Sequence, residues 1–496
     1  MTEAVKAQTE SGDIAALAKG GRTNIAGFLI RLLARIPFLI IASRLYGAAA
    51  MGRFASALVM VEFAAQLCTL GQKRGLAKRL TESAQHPANA VADAMLLNTL
   101  LAVVASLLIY AFPASMYPKE SFGAIDRLLV LSILPSGLTD LALAALAYRF
   151  DVETSVRVRA VAEPWALSIA AGVMYFIHPD GGLSLAYMVS LFVAFAFSLV
   201  PLLRSYGLPQ QWRPHPVHMW QLAAANLPLA LADMVEWGTR KLDVFILRFF
   251  IGDTALGVYF FAQQFASLPQ KLKSSFEPVL GPVITRNVAA RNYAAIARQV
   301  CQVGFWITVA QAGIALALCI PGRGLMGLGG PGFVAGTLAL VFLLLAEVVA
   351  ATAVVSEAAL VYVARYQNLA LSLLTIVLQG VLTVGGIMLA RSLGLSQAYS
   401  AAAAAAALAL SLAMASLLKA RLLSRILAEP INNWRWSLLW GVVPASLVGG
   451  TAVALLPEWL GIVVGLFGTV VVYVWAIWFK AFGPEDRVLL RRNVAA

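Results

Sequence analysis

Charge and cysteine are what this sequence has little of. Only 12% of its 496 residues are Asp, Glu, Lys or Arg, and it holds three cysteines and four histidines. Soluble chains carry about twice that share of charge, so an ordinary soluble globular protein is excluded. Cys68, Cys301 and Cys319 sit in apolar segments without metal-ligand spacing, and they read as buried thiols rather than as a disulfide or zinc framework. His86, His178, His215 and His218 are expected in loops, no GxxxxGK[ST] pattern is present, and no loop is longer than about twenty residues. The chain therefore reads as a non-enzyme without cofactor or metal. The enzyme class left as an alternative is a membrane-embedded sugar polymerase or ligase, which a large outer loop bearing Arg or His would support.

Apolar residues make up 60% of the chain and the mean hydropathy is +0.81. Spans of apolar residues long enough to cross a bilayer number about fourteen, near 22–46, 51–71, 92–113, 124–147, 160–177, 183–203, 221–250, 255–276, 299–320, 333–358, 367–390, 394–418, 437–456 and 459–480. Their length and their Ala and Leu content favour helices over the short alternating strands of an outer-membrane barrel, so the expected class is an all-α polytopic membrane protein. The opening "MTEAVKAQTESGDIA" is polar and has no basic n-region or apolar h-region, and no signal peptide is expected.

The net charge of +13 follows from orientation rather than from nucleic-acid binding. With the N-terminus in the cytoplasm, 24 Lys and Arg fall on inside segments and only Arg44, Arg53, Lys119, Arg323 and Arg391 on the outside. Both termini are thus expected in the cytoplasm, which an even number of spans permits.

Two stretches repeat. "RLYGAAAMGRF" from Arg44 and "RFFIGDTALGVYF" from Arg248 each carry Gly-x4-Gly, Gly47 with Gly52 and Gly252 with Gly257, offset by 205 residues. The same offset superposes Arg35 on Arg240. Both hairpins turn at the outer face and run in the same sense, so the repeat is parallel, and a duplicated bundle usually encloses a site between its halves. Taken singly, the glycines suit a tight turn with positive φ.

"LAKGGRTN" from Leu17, the first hairpin, "LGQKRGLAKRL" from Leu70, "RKLDVFILRFFIGDTALGVYFFAQQFASLP" from Arg240, and Pro278 with Pro282 together resemble the polysaccharide-transporter branch of the multidrug/oligosaccharidyl-lipid/polysaccharide exporter superfamily, which holds the Wzx-type flippases. Ala48 stands where that family often has proline. The resemblance implies two six-helix lobes, at 21–205 and 219–420, facing each other across a cavity. It also implies two further helices at 437–480, between cytoplasmic tails at 1–20 and 481–496. It implies a bacterial inner-membrane protein that flips an undecaprenyl-pyrophosphate-linked oligosaccharide, with membrane lipids and the polymerase and export components of a polysaccharide pathway as partners.

Several charges fall inside spans, where each costs about 2.5–3.5 kcal/mol on the lenient insertion scale and so needs a polar place to point. Asn24, Arg31 and Arg35 share one helical face; so do Glu62, Gln66 and Thr69; so do Asn226, Asp233, Glu236, Arg240 and Asp243; and Gln263, Ser267, Gln270 and Ser274 line another. A cationic cavity lined by Arg31, Arg35, Glu62, Arg240, Lys241 and Lys271 suits a pyrophosphate gripped by arginine forks. Glu236 and Arg240 also make a good i, i+4 pair, which leaves a structural seam open as the alternative, and Lys271 with Lys273 can instead snorkel to the inner surface. Glu62, Asp140, Glu347 and Glu357 are further acids at membrane depth. Asp233, Glu236, Asp243 and Glu163, the last followed by Pro164, are the candidates for loading a coupling proton, because burial disfavours the charged carboxylate. Two other functions fit the same fold: a drug or cation exporter, for which an acidic and aromatic cavity is expected, and a lipid II flippase.

The split of basic residues makes orientation testable. A reporter active only in the cytoplasm is expected to work when fused after Arg79 or after Ala496 and to fail near Asp180; the reverse pattern overturns the orientation.

Overall fold

The computed structural model describes residues 34–82, 86–119, 122–214, 216–272, 277–483 and 486. The described residues are mostly helical, with no strand among them. The long helices are α1 (Gly47–Cys68), α2 (Gln72–Glu82), α3 (Pro87–Ala111), α4 (Ile133–Tyr148), α5 (Glu163–Ile177), α6 (Gly182–Tyr206), α7 (Pro216–Phe250), α8 (Asp253–Leu272), α9 (Glu277–Ala289), α10 (Tyr293–Cys319), α11 (Thr337–Val363), α12 (Arg365–Ser392), α13 (Gln397–Leu427), α14 (Leu439–Leu455) and α15 (Glu458–Ala476). Local chemistry sets several starts. Pro87 occupies the first turn of α3 while His86 Nδ1 accepts from the Ala88 N–H, and Asn292 Oδ1 accepts from the Ala295 N–H at the start of α10. His218, expected in a loop, lies in the first turn of α7.

Eleven helical segments among the described residues are long and apolar enough to cross a membrane. The sequence suggests fourteen, and the difference has definite sources. The described parts of the segments 22–46 and 51–71 count together as one stretch, Ala34–Ala77, which is turned at Gly47, where φ is +81. Helices α7 and α8 are long enough but fall outside the eleven; α7 carries the polar stripe at 226–243 and α8 the described part, Gln263, Ser267 and Gln270, of the next one.

By contacts the described chain forms two compact units that divide between Phe260 and Phe261. In the first, α5 and α4 pack on α6, α3 packs on α4, and α1 packs on α7; Leu141, Leu146, Val91, Ala94 and Ala194 are among its core residues. In the second, α11 packs on α13, α12 on α13, α10 on α11, and α14 on α15. Ala401, Ala402, Ala404 and Ala405 are all buried on α13, and such small side chains let membrane helices approach closely where no hydrophobic force draws them together. The core of this unit holds Phe305, Trp306, Val355, Leu423 and Tyr473. Its far end is pinned by Asp486, whose carboxylate accepts from Trp306 Nε1 at 3.0 Å, from the Gly483 N–H at 3.0 Å and from Arg435 Nη1 at 2.6 Å.

The turn glycines separate into two kinds. Gly47 takes φ +81, a true turn position. Gly52 and Gly257 do not adopt positive φ and lie inside α1 and α8, so they need another explanation, taken up below.

Candidate functional site

The polar stripe of α7 does not act as one surface. Asp233, 4% exposed, and Glu236 are held by a single guanidinium: Arg74 Nε lies 3.2 Å from Asp233 Oδ1, and Arg74 Nη2 donates to Glu236 Oε2 at 2.9 Å. The other oxygen of Glu236 accepts from Arg240 Nη2 at 2.8 Å. Glu236 is thus clamped between two arginines, one on its own helix and one on α2.

A second cluster centres on Asp140 of α4. It accepts from Lys73 Nζ at 2.5 Å and from Arg159, and Arg159 reaches Glu163 at 2.6 Å through its other terminal nitrogen. Lys73 also donates to Gln66 Oε1 at 2.9 Å. Lys241 Nζ lies 3.3 Å from Glu62 Oε2. Tyr187 is within electrostatic reach of Glu62, Glu163, Arg159 and the half-buried Arg35, and Asp233 is within reach of Lys73 and Asp140. The clusters therefore form one continuous network on α1, α2, α4, α5, α6 and α7, all inside the first compact unit.

Its charge is close to balanced. Glu62, Asp140, Glu163, Asp233 and Glu236 face Lys73, Arg74, Arg159, Arg240 and Lys241, and Arg35 is the sixth base. The cationic lining expected from the sequence becomes, among the described side chains, a set of ion pairs with one base in excess. An anion entering here has to exchange partners with carboxylates rather than meet bare cations. The exposure of the pairs is graded: the Arg74 and Glu236 side chains are about half exposed, while Asp233 is sealed.

Arg35, Glu62, Asp233, Glu236, Arg240, Lys241 and Glu163 are brought into this network. Asp243 is not: it is fully buried and accepts from Tyr259 Oη at 2.5 Å, clasping α7 to α8. Helical spacing puts Asp243 on the stripe but says nothing of the tyrosine sixteen residues on that covers it. Arg31 and the Lys271 side chain lie outside the described residues. Glu357 pairs with Lys419 in the second unit, 3.0 Å apart. Sequence reading missed Lys73, Arg74 and Arg159 as site residues because each counts naturally as an inside loop charge. The signal that was available is Asp140, an acid alone in an apolar segment, which demands a basic partner.

The fold resembles that of solved transporters and a flippase. The lipid II flippase MurJ in its inward closed conformation superposes with a TM-score of 0.67 at 13% identity, covering 92% of this chain and 99% of that one. An inward-facing multidrug resistance MATE family transporter gives 0.64 at 13% identity, covering 81% and 98%. A MOP superfamily transporter from Pyrococcus furiosus, noted for the reverse polarity of its binding pocket, gives 0.59 at 13% identity, covering 84% and 96%. No curated protein matches the sequence. The model of the polysaccharide biosynthesis protein family matches residues 41–318, more than half of the chain, and the chain belongs to that family.

The graded exposure separates structural from adaptable pairs. Asp140→Ala leaves both Lys73 and Arg159 short of a carboxylate and is expected to cost about 1–3 kcal/mol. Glu236→Ala, at a half-exposed position, is expected to cost less than about 1 kcal/mol. Thermal midpoints of the purified variants in detergent check this, and equal shifts would refute the distinction.

Proposed function

We propose that the chain is a flippase that carries an undecaprenyl-pyrophosphate-linked oligosaccharide across the bacterial inner membrane for surface or exopolysaccharide synthesis, by alternating access. The observation that carries this reading is the clamp on Glu236: two arginines held by one half-exposed carboxylate, with Arg35 in excess beside the network. A pyrophosphate presents several oxygens to arginine forks and can replace Glu236 on Arg74 and Arg240 together. Polysaccharide biosynthesis as the family's business supports a lipid-linked sugar as cargo. A lipid II flippase shares the headgroup chemistry, and likeness to MurJ keeps that reading second. The likeness to MATE transporters keeps a drug or cation exporter in view, but an organic cation is served by an excess of acid, whereas this network has an excess of base. Cells lacking the native transporter test the proposal: Arg35→Ala or Arg240→Ala is expected to abolish polymer export at normal insertion levels, with Lys restoring it in part. Full export by both alanine variants would overturn it.

The coupling reading rests on Asp233. One of its carboxylate oxygens, Oδ2, is buried with no hydrogen-bond partner, while the other meets Arg74. Such an oxygen is a place to hold a proton when Arg74 leaves it for the headgroup, and protonation can bias the two access states only through the difference in proton affinity between them. In proteoliposomes an imposed pH gradient is expected to accelerate flipping of the lipid-linked oligosaccharide, and Asp233→Asn to remove the acceleration. Indifference of the unmodified protein to proton and sodium gradients would leave passive facilitation.

A further inference from the structure

The two repeated hairpins meet each other. A Cβ added to Gly52 would fall 1.8 Å from the carbonyl oxygen of Asp253 and 2.9 Å from the nitrogen of Gly257. A Cβ added to Gly257 would fall 1.8 Å from the carbonyl oxygen of Ala48 and 2.8 Å from the nitrogen of Gly52. An offset of 205 carries Ala48 onto Asp253 and Gly52 onto Gly257, so each contact is the other with the two hairpins exchanged. The contact is therefore isologous, each hairpin offering the same patch to the other, as in a two-fold dimer. Such a contact forms only where the axis relating the two repeats passes through it. Backbone lies directly against backbone, so any side chain at either glycine has to push the helices apart.

We propose that this reciprocal glycine contact is the outer closure of the transport path, a seal that parts along the axis relating the repeats. It rests on the transport reading above and adds to it which residues shut the outer end. The duplicated motif explains why a glycine is needed twice at one depth: a two-fold contact of this closeness fails if either partner carries a side chain. The charges that bind cargo lie elsewhere along the same helices, with Arg74 reaching α7 from α2 at the cytoplasmic end of α1. Closure at the outside is thus steric, backbone against backbone.

The test uses the full-length protein in cells, with Cys68, Cys301 and Cys319 replaced and a reporter at Val59→Cys. Val59 is buried and lies two turns inward of Gly52 on the same face. A membrane-impermeant maleimide added from outside reads whether the seal is open. Gly52→Ala and Gly257→Ala are each expected to raise the labelling rate about tenfold, and by the same factor, because each wedge acts on the same contact. Gly172→Ala, at a helical glycine with open space around it, is expected to leave labelling unchanged. No increase in either alanine variant, or an increase in one alone, overturns the proposal. Should those variants fail to insert, the glycine background decides: slow labelling of the reporter from outside supports a seal that moves, and complete shielding overturns it. Labelling does not depend on which lipid-linked molecule is carried, so failure of the cargo assignment shows in export assays and failure of the seal shows here.

Discussion

A fixed charge inside a bilayer must be answered by another charge or by water, and much of the first compact unit is arranged around that demand. Asp140 on α4 would be untenable alone at membrane depth, and its partners come from the end of one helical hairpin and the start of another, Lys73 and Arg159. Those partners in turn fix how α2, α4 and α5 sit against one another. Pairing of this kind is weak as a source of stability, because desolvation offsets most of the attraction. Each of the five carboxylates in this network already has a base.

The two ends of α1 use different physics. Beyond its Cys68 end, Arg74 of α2 meets Glu236 of α7 in an ionic contact whose two side chains are about half exposed. Near its Gly47 end, Gly52 meets Asp253 and Gly257 of α8 backbone against backbone, a contact that no ligand can imitate.

The sequence made the helical class legible, because hydrophobic length and helical spacing are local properties. Asp243 shows where spacing stops: it shares a face with Glu236, yet its depth beneath Tyr259 depends on how α8 folds back. Lys73, Arg74 and Arg159 show the converse. The rule that places basic residues in the cytoplasm accounts for them fully at the level of sequence, and only three-dimensional proximity to Asp140, Asp233 and Glu236 reveals their second use. Gly52 and Gly257 were visible as a repeat but not as a contact, since a glycine's need for space is set by what approaches it.

The carboxylate of Asp486 has a consequence for how the molecule is made. It is the hydrogen-bond acceptor for the Trp306 indole, 180 residues earlier in the chain. During synthesis α10 enters the membrane and α11 to α15 follow before that acceptor leaves the ribosome. Until then the indole N–H and the Arg435 guanidinium lack the carboxylate to which both donate. The last turn of the described chain is therefore a keystone, set after the arch around it has been raised.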